Sequence, residues 1–173
     1  ISFIISANNN IPRIQGIIER LCQMFGKKII ISGEEYYSFP SPSDMKDITE
    51  DMLAPIRCGY RAKYLVNTVK SFLDGEINEE YIASLPAEKA RRELCKISGV
   101  GPKVADCILL FSLGRFDVFP TDVWVKRVMN ELYGCSESEA AVLGSRLYGD
   151  FAGIAQQYLY FFRRSAETYD KKI

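Results

Sequence analysis

The chain has 173 residues, 47% of them apolar, enough for one compact core or two small helical lobes that share an interface. Its 22 basic side chains are balanced by 22 acidic ones, so any hold on nucleic acid must come from a local patch and not from bulk charge. No apolar run approaches the roughly 20 residues that cross a bilayer, and the start shows no signal-peptide pattern, so a cytosolic setting is expected.

Ile11, Ile14, Ile17, Ile18, Leu21 and Phe25 recur at helical spacing after Asn8-Asn9-Asn10, and Gly26 stands where a helix would stop, which predicts a helix over 11–25. From Lys28 to Pro42 the chain reads as an extended connection with room for a short strand pair. Ser43 or Asp44 can cap a second helix to about Leu53, and Arg61 to Leu73 places Leu65, Val66, Val69 and Phe72 on one face. Asn78 caps a short helix through Leu85, and Pro86 opens another to about Cys95. Pro102 stands at the first position of an apolar helix to Leu113. Asp122 to Tyr133 is the next helix, Ser136-x-x-Glu139 is a capping box, and the last helix spans about Ile154 to Thr168. The class is therefore all-α, with eight or nine helices.

The five cysteines, Cys22, Cys58, Cys95, Cys107 and Cys135, are odd in number and show no C-x-x-C pair, so neither a disulfide framework nor a metal site is expected. Charge is segregated instead. Asp44, Asp47, Glu50 and Asp51 crowd one segment, Arg57, Arg61 and Lys63 the next, and Arg91, Arg92, Lys96 and Lys103 a later one.

The chemistry concentrates in Ile97-Ser98-Gly99-Val100-Gly101-Pro102-Lys103-Val104-Ala105-Asp106. Two glycines around one apolar residue form a hairpin whose backbone N–H groups adjoin a helix N-terminus, a seat for phosphate that needs no positive charge. Val100 would plug the gap between the flanking helices. An isolated G-x-G is also an ordinary tight turn; the following Pro102 and Lys103 favour the seat. A lysine in a first turn sits against the helix dipole, and imine chemistry needs a neutral, nucleophilic amine. Asp122 reads equally well as a helix cap and as a charged partner.

Together these residues resemble the helix-hairpin-helix motif of a DNA glycosylase superfamily, in which a Gly/Pro-rich segment and an aspartate follow; Phe119-Pro120-Thr121-Asp122 stands at that spacing. Three further segments resemble the branch that removes 8-oxoguanine and also cleaves the strand: Asn8-Asn9-Asn10-Ile11-x-Arg13-Ile14-x-Gly16, Gly59-Tyr60-Arg61-Ala62-x-Tyr64, and Ala155-Gln156 with Tyr160. The resemblance implies a two-lobed glycosylase fold with a DNA cleft between lobes, lobe one about 12–113 and lobe two 121–173 with the N-terminal residues. It implies that Lys103 is the amine nucleophile and Asp122 its acidic partner. Gly99, Val100 and Gly101 would grip phosphate, Asn8 would fill the hole left by the flipped nucleotide, and Arg13 would contact the orphaned base. Tyr60 would wedge into the strand, and Arg61 would help to hold the opposite base. Cys107 and Tyr160 would sandwich the damaged base while Gln156 reads its Watson–Crick edge.

These expectations make the chain a monomeric bifunctional glycosylase and abasic-site lyase acting on damaged double-stranded DNA, in the bacterial cytoplasm and nucleoid or the eukaryotic nucleus. No cofactor is required, although a monovalent cation could sit at the hairpin. Two departures stand out. Trp124 lies two residues after Asp122, where relatives often carry histidine, and the chain has no histidine. Beginning at Ile1, it also reads as an excised domain, lacking the upstream sheet region that helps its full-length relatives to recognise 8-oxoguanine. An endonuclease III type enzyme for oxidised pyrimidines shares the hairpin, lysine and aspartate but usually ends in a four-cysteine loop, whereas no cysteine follows Cys135. A non-catalytic DNA-binding module is the other alternative, and the balanced charge weighs against it.

Overall fold

Consecutive asparagines separate two helices at the start of the chain. In the computed structural model, which describes residues 1–170 and side chains as far as Arg164, α1 (Ser2–Ser6) is followed by Asn9, whose Nδ2 donates to the Ile5 carbonyl at 3.1 Å. The next helix, α2 (Ile11–Phe25), begins where the Asn10 side chain accepts from the Arg13 N–H at 3.0 Å. α2 matches the expected span and buries Ile17, Leu21 and Cys22. α1 was not anticipated, because a helix this short shows no period.

Gly26 ends α2 as expected, but by a different physical route. Its φ is −79°, and it is needed because the chain returns so closely that a Cβ there would lie 1.9 Å from the Ser38 carbonyl oxygen. The Ser38 N–H donates to the Lys27 carbonyl at 2.9 Å, which opens a hairpin of β1 (Lys28–Ile31) and β2 (Glu34–Tyr37). The strands are antiparallel, with Lys28 opposite Tyr37 and Ile31 opposite Glu34. Ser32 and Gly33 both have positive φ, as two-residue hairpin turns require.

The helix expected from Ser43 or Asp44 to Leu53 does not form. Its place holds isolated 3₁₀ turns at Ser43–Met45 and Ala54–Ile56. Asp44 Oδ2 accepts from the Ser41 N–H at 2.9 Å and from Ser41 Oγ at 2.6 Å, local bonds that compete with helix propagation. Pro42 and Pro55 bracket the segment and donate no backbone hydrogen bond.

Two compact units result: residues 1–79 with 96–100, and residues 80–95 with 101 onward. The boundaries fall elsewhere than those of the expected lobes. The N-terminal residues belong to the first unit, where α1 packs on α2 and on α3 (Arg61–Leu73), and α3 buries Arg61, Leu65 and Val69. α4 (Glu79–Ser84) starts at the boundary, and all but its first residue belong to the second unit.

In the second unit, α5 (Ala87–Leu94) pairs with α6 (Pro102–Ser112) through Arg91 Nε on Asp106 Oδ1 at 2.6 Å. α7 (Val123–Tyr133) ends at Gly134, whose φ of 64° is left-handed. Glu139 Oε2 accepts from the Ser136 N–H at 3.0 Å and from its Oγ at 2.5 Å, which is half of the expected capping box. α8 (Ala140–Tyr148) therefore starts after Glu139 and not after Ser136. α9 (Ala152–Asp170) completes the unit, and Phe119, Val125, Met129, Cys135, Ala140 and Ala152 form a core among α7, α8 and α9. Nine α-helices are thus present among the described residues, with one small sheet. Among the same residues no helix is long and apolar enough to cross a membrane.

Candidate active site

The hairpin owes its shape to Gly99. Its φ is +84°, and a Cβ would lie 2.6 Å from the Tyr64 ring, so both the backbone and the packing demand glycine. The Val100 N–H donates to the Ile97 carbonyl at 3.0 Å, so this amide closes the turn and is not offered outward, contrary to the expected run of successive free N–H groups. Val100 itself is buried, as a plug should be. Gly101 has open space at its Cβ position and caps α6 without any side-chain bond. Pro102 has no N–H to satisfy, and the intrahelical bonds begin with the Ala105 N–H on the Gly101 carbonyl at 2.9 Å. The N–H groups of Lys103 and Val104 are thus those a helix start leaves open to an anion.

Lys103 lies exposed in this first turn. Cys107, one turn on and on the same face, is buried. Burial pushes the Cys107 thiol up, while the Lys103 ammonium beside it, also hydrogen-bonding to it, pulls in the opposite direction, and the nearby carboxylate of Asp122 adds to the upward push. Lys103, Cys107 and Asp122 therefore share one electrostatic neighbourhood. Asp122 is the N-cap of α7, its Oδ1 accepting from the Val125 N–H at 2.9 Å. The cap and the charged partner are compatible readings, because a carboxylate has two oxygens and capping occupies one.

Gln156 is buried and accepts from Gln157 Nε2 at 2.6 Å. Tyr160 packs against the core of the second unit, with Arg164 Nη1 donating to its hydroxyl at 3.1 Å. Packing accounts for Tyr160 without a bound base. Trp124 is half-buried beneath the Arg127 guanidinium, 5.3 Å from the ring centroid.

The first unit gathers the remaining candidates. Asn8 is exposed at φ 49°, in the left-handed region, and the helix caps on either side are supplied by Asn9 and Asn10. Arg13 is exposed and lies over Gly59, whose Cβ position is 4.0 Å from its Nη2. Tyr60 is 58% exposed and meets Tyr64 edge to face at 5.9 Å. Arg61 departs from expectation: it is only 3% exposed, and its guanidinium is committed to backbone carbonyls.

Two ionic features, one at the buried Asp106 and one half-exposed, escaped the sequence reading. Asp106 is held by Arg91, yet burial still pushes its carboxyl above the ordinary aspartate value of 3.8. Its signal was visible, since it is the one acid inside the apolar run of α6. Arg115 joins Asp117, at 2.7 and 2.9 Å, to the carbonyls of Ala83 and Leu85. Among the described residues no cluster of three or more Cys, Asp or Glu side chains is placed to hold a metal ion.

A glycine-built hairpin, a first-turn lysine and an aspartate cap define a class of DNA repair proteins. The chain belongs to the HhH-GPD superfamily of base excision DNA repair proteins, which matches residues 1–144. It is similar to the N-glycosylase/DNA lyase of Saccharomyces cerevisiae, with 36% identity over 80% of this chain and 40% of that protein. It is also similar to the N-glycosylase/DNA lyase OGG1 of Arabidopsis thaliana, with 32% identity over 96% of this chain and 50% of that protein. Among solved structures, the 8-oxoguanine glycosylase/lyase of Clostridium acetobutylicum, in complex with double-stranded DNA containing cytosine opposite 8-oxoguanine, superposes with a TM-score of 0.90. It shares 43% identity and is matched over 96% of this chain and 58% of that one. The chain thus spans about half the length of these relatives.

Proposed function

We propose that the chain is the catalytic part of a bifunctional glycosylase and abasic-site lyase that removes 8-oxoguanine from duplex DNA. The observation that carries this reading is the shared neighbourhood of Lys103, Cys107 and Asp122 at the start of α6. An exposed amine can reach a sugar turned out of the helix, and open amides beside it can fix a phosphate. The likeness to the Clostridium enzyme, whose structure holds DNA with cytosine opposite 8-oxoguanine, supports the choice of lesion.

In this reading neutral Lys103 Nζ attacks C1′ of the extruded nucleotide and forms a C–N bond. The N-glycosidic bond breaks, and its electron pair leaves with the base, which takes up a proton. Asp122 opposes the positive charge that develops on the sugar. The sugar ring then opens to an imine. Loss of the C2′ proton allows the C3′–O bond to break, and the 3′ phosphate departs with that electron pair. Cys107, Gln156 and Tyr160 would hold the base, and Asn8, Arg13 and Tyr60 the gap and its opposite strand. No cofactor enters any step. A monovalent cation at the hairpin would be held by backbone carbonyls, such as that of Ile97, which keeps a lone pair beyond its bond to Val100. The protein would act as a monomer at the nucleoid or in the nucleus.

The test is turnover of an 8-oxoguanine:cytosine duplex with borohydride present, beside thymine-glycol and undamaged duplexes. Scission and a trapped protein–DNA adduct confined to 8-oxoguanine are expected. A Lys103→Gln protein that still gave the adduct would remove Lys103 as nucleophile, and preference for thymine glycol would remove the lesion assignment.

A further inference from the structure

Arg57 holds a backbone conformation that its residue type disfavours. It follows the 3₁₀ turn Ala54–Ile56 with φ 60° and ψ 35°, in the left-handed region, where helical turns ordinarily place a glycine because a Cβ is crowded there. Such a conformation persists only where its surroundings impose it, and here they do. The Ile56 carbonyl accepts from Arg20 Nε at 3.0 Å and from its Nη2 at 2.9 Å. The Arg57 N–H donates to the Ala54 carbonyl at 3.1 Å. Ile56 and Cys58, on either side, are both buried.

The side chain raised in this way is idle within the fold. Arg57 is exposed, and its guanidinium has no hydrogen bond, ion pair or ring contact among the described residues. Glycine in its place would therefore relieve strain and remove no contact. Yet the same loop leads to Tyr60. Gly59, also left-handed at φ 63°, has its Cβ position 4.0 Å from Arg13 Nη2, and Tyr60 follows at the start of α3, 58% exposed. Arg57, Arg13 and Tyr60 thus gather in one part of the first unit, in a chain whose net charge is zero and which must hold nucleic acid through a local patch.

We propose that Arg57 is a DNA phosphate contact: the left-handed backbone presents its guanidinium from the loop before Tyr60, where it pairs with a phosphodiester beside the step that Tyr60 enters. A guanidinium forks onto two phosphate oxygens, a contact that fixes position without reading sequence. This inference rests on the entry of Tyr60 into the duplex in the proposed function, and it goes further in naming a contact that is blind to the lesion.

Affinity is measured across a salt series for an undamaged duplex and for an uncleaved 8-oxoguanine:cytosine duplex, together with the thermal midpoint of each protein. Arg57→Gly should weaken binding to both duplexes on the order of fivefold at low salt, and the slope of log K against log salt should shrink by about 0.9, the share of one phosphate. Its thermal midpoint should rise by about 2 °C as the strain is released. Arg57→Lys keeps both the charge and the Cβ, so it should retain the slope and the midpoint of the parent.

Unchanged affinity and slope in Arg57→Gly would overturn the contact and leave a solvated arginine. A lower thermal midpoint would overturn it too, by showing that the side chain serves folding. So would a loss confined to the 8-oxoguanine duplex, because a phosphate contact does not distinguish the two. Borohydride trapping and strand scission by the parent protein read the glycosylase assignment separately: a protein that fails them but shows the expected change of slope keeps the contact and loses the lesion.

Discussion

The two ends of the candidate machinery are built in opposite ways. In the first unit Asn8, proposed to face DNA, sits at positive φ between the local bond from Asn9 to the Ile5 carbonyl and a bond from the distant Arg61 to its own carbonyl. In the second, Lys103 stands on an ordinary helix turn, and its surroundings come from the next turn of the same helix and the cap of another. The first arrangement depends on bonds between residues far apart in the chain, the second on the geometry of single helix turns.

The largest effect expected from this contrast is at Lys103. Lys103→Gln should abolish borohydride trapping and strand scission while leaving the thermal midpoint near that of the parent, since an exposed first-turn side chain carries little packing. A large loss of stability would mean that Lys103 is structural. Asp122 comes next, because there cap and charge can be separated. Asn is as good a cap as Asp, so Asp122→Asn should keep stability while base release falls by about 100-fold. Asp122→Ala should lose the cap as well, at about 1 kcal/mol in urea unfolding. Equal activity of parent and Asp122→Asn would leave capping as its whole role.

The hairpin glycines should part in the same manner. Gly99→Ala must accept a left-handed φ and a clash with Tyr64, and a loss of about 2 kcal/mol or more is expected. Gly101→Ala meets no clash, so it should fold normally and lose affinity for DNA chiefly where a phosphate would approach. Calorimetry and binding on the two variants would show whether the division holds.

The smallest effects concern acid stability. Asp117, bonded by Arg115, has its carboxyl held below the usual 3.8, so its stabilisation is present above that value and is lost as pH falls through the lowered one. Asp106 runs the other way. Burial raises its carboxyl, so between 3.8 and that raised value the folded state binds more protons than the unfolded, and its contribution improves as pH falls. Urea midpoints from pH 6 to pH 3 should therefore fall less steeply in Asp117→Asn and more steeply in Asp106→Asn. Identical slopes would mean that neither carboxyl is perturbed.

Much of this architecture was legible in the chain. The period of Ile17 and Leu21, the caps at Asn10 and Asp122, and Pro102 at a helix start each report a bond made within four residues, so spacing suffices to read them. The failures share one cause. The segment after Ser43 has a plausible cap and acidic first turn, but Ser41 and Asp44 bond each other and two prolines flank the stretch. Gly26 stands where a helix stops, but the close passage of Ser38 that requires a glycine there comes from across a hairpin and is invisible in helical periodicity.

Residue order alone places Lys103 and Cys107 on one helical face and makes Asp122 a cap, because helix geometry is set over a single turn. It cannot say that Arg61 is buried, nor that it is spent on Ala7 and Asn8. Whether a guanidinium meets water, a base or a row of carbonyls depends on chain segments more than 50 residues apart, and only their packing brings those partners together.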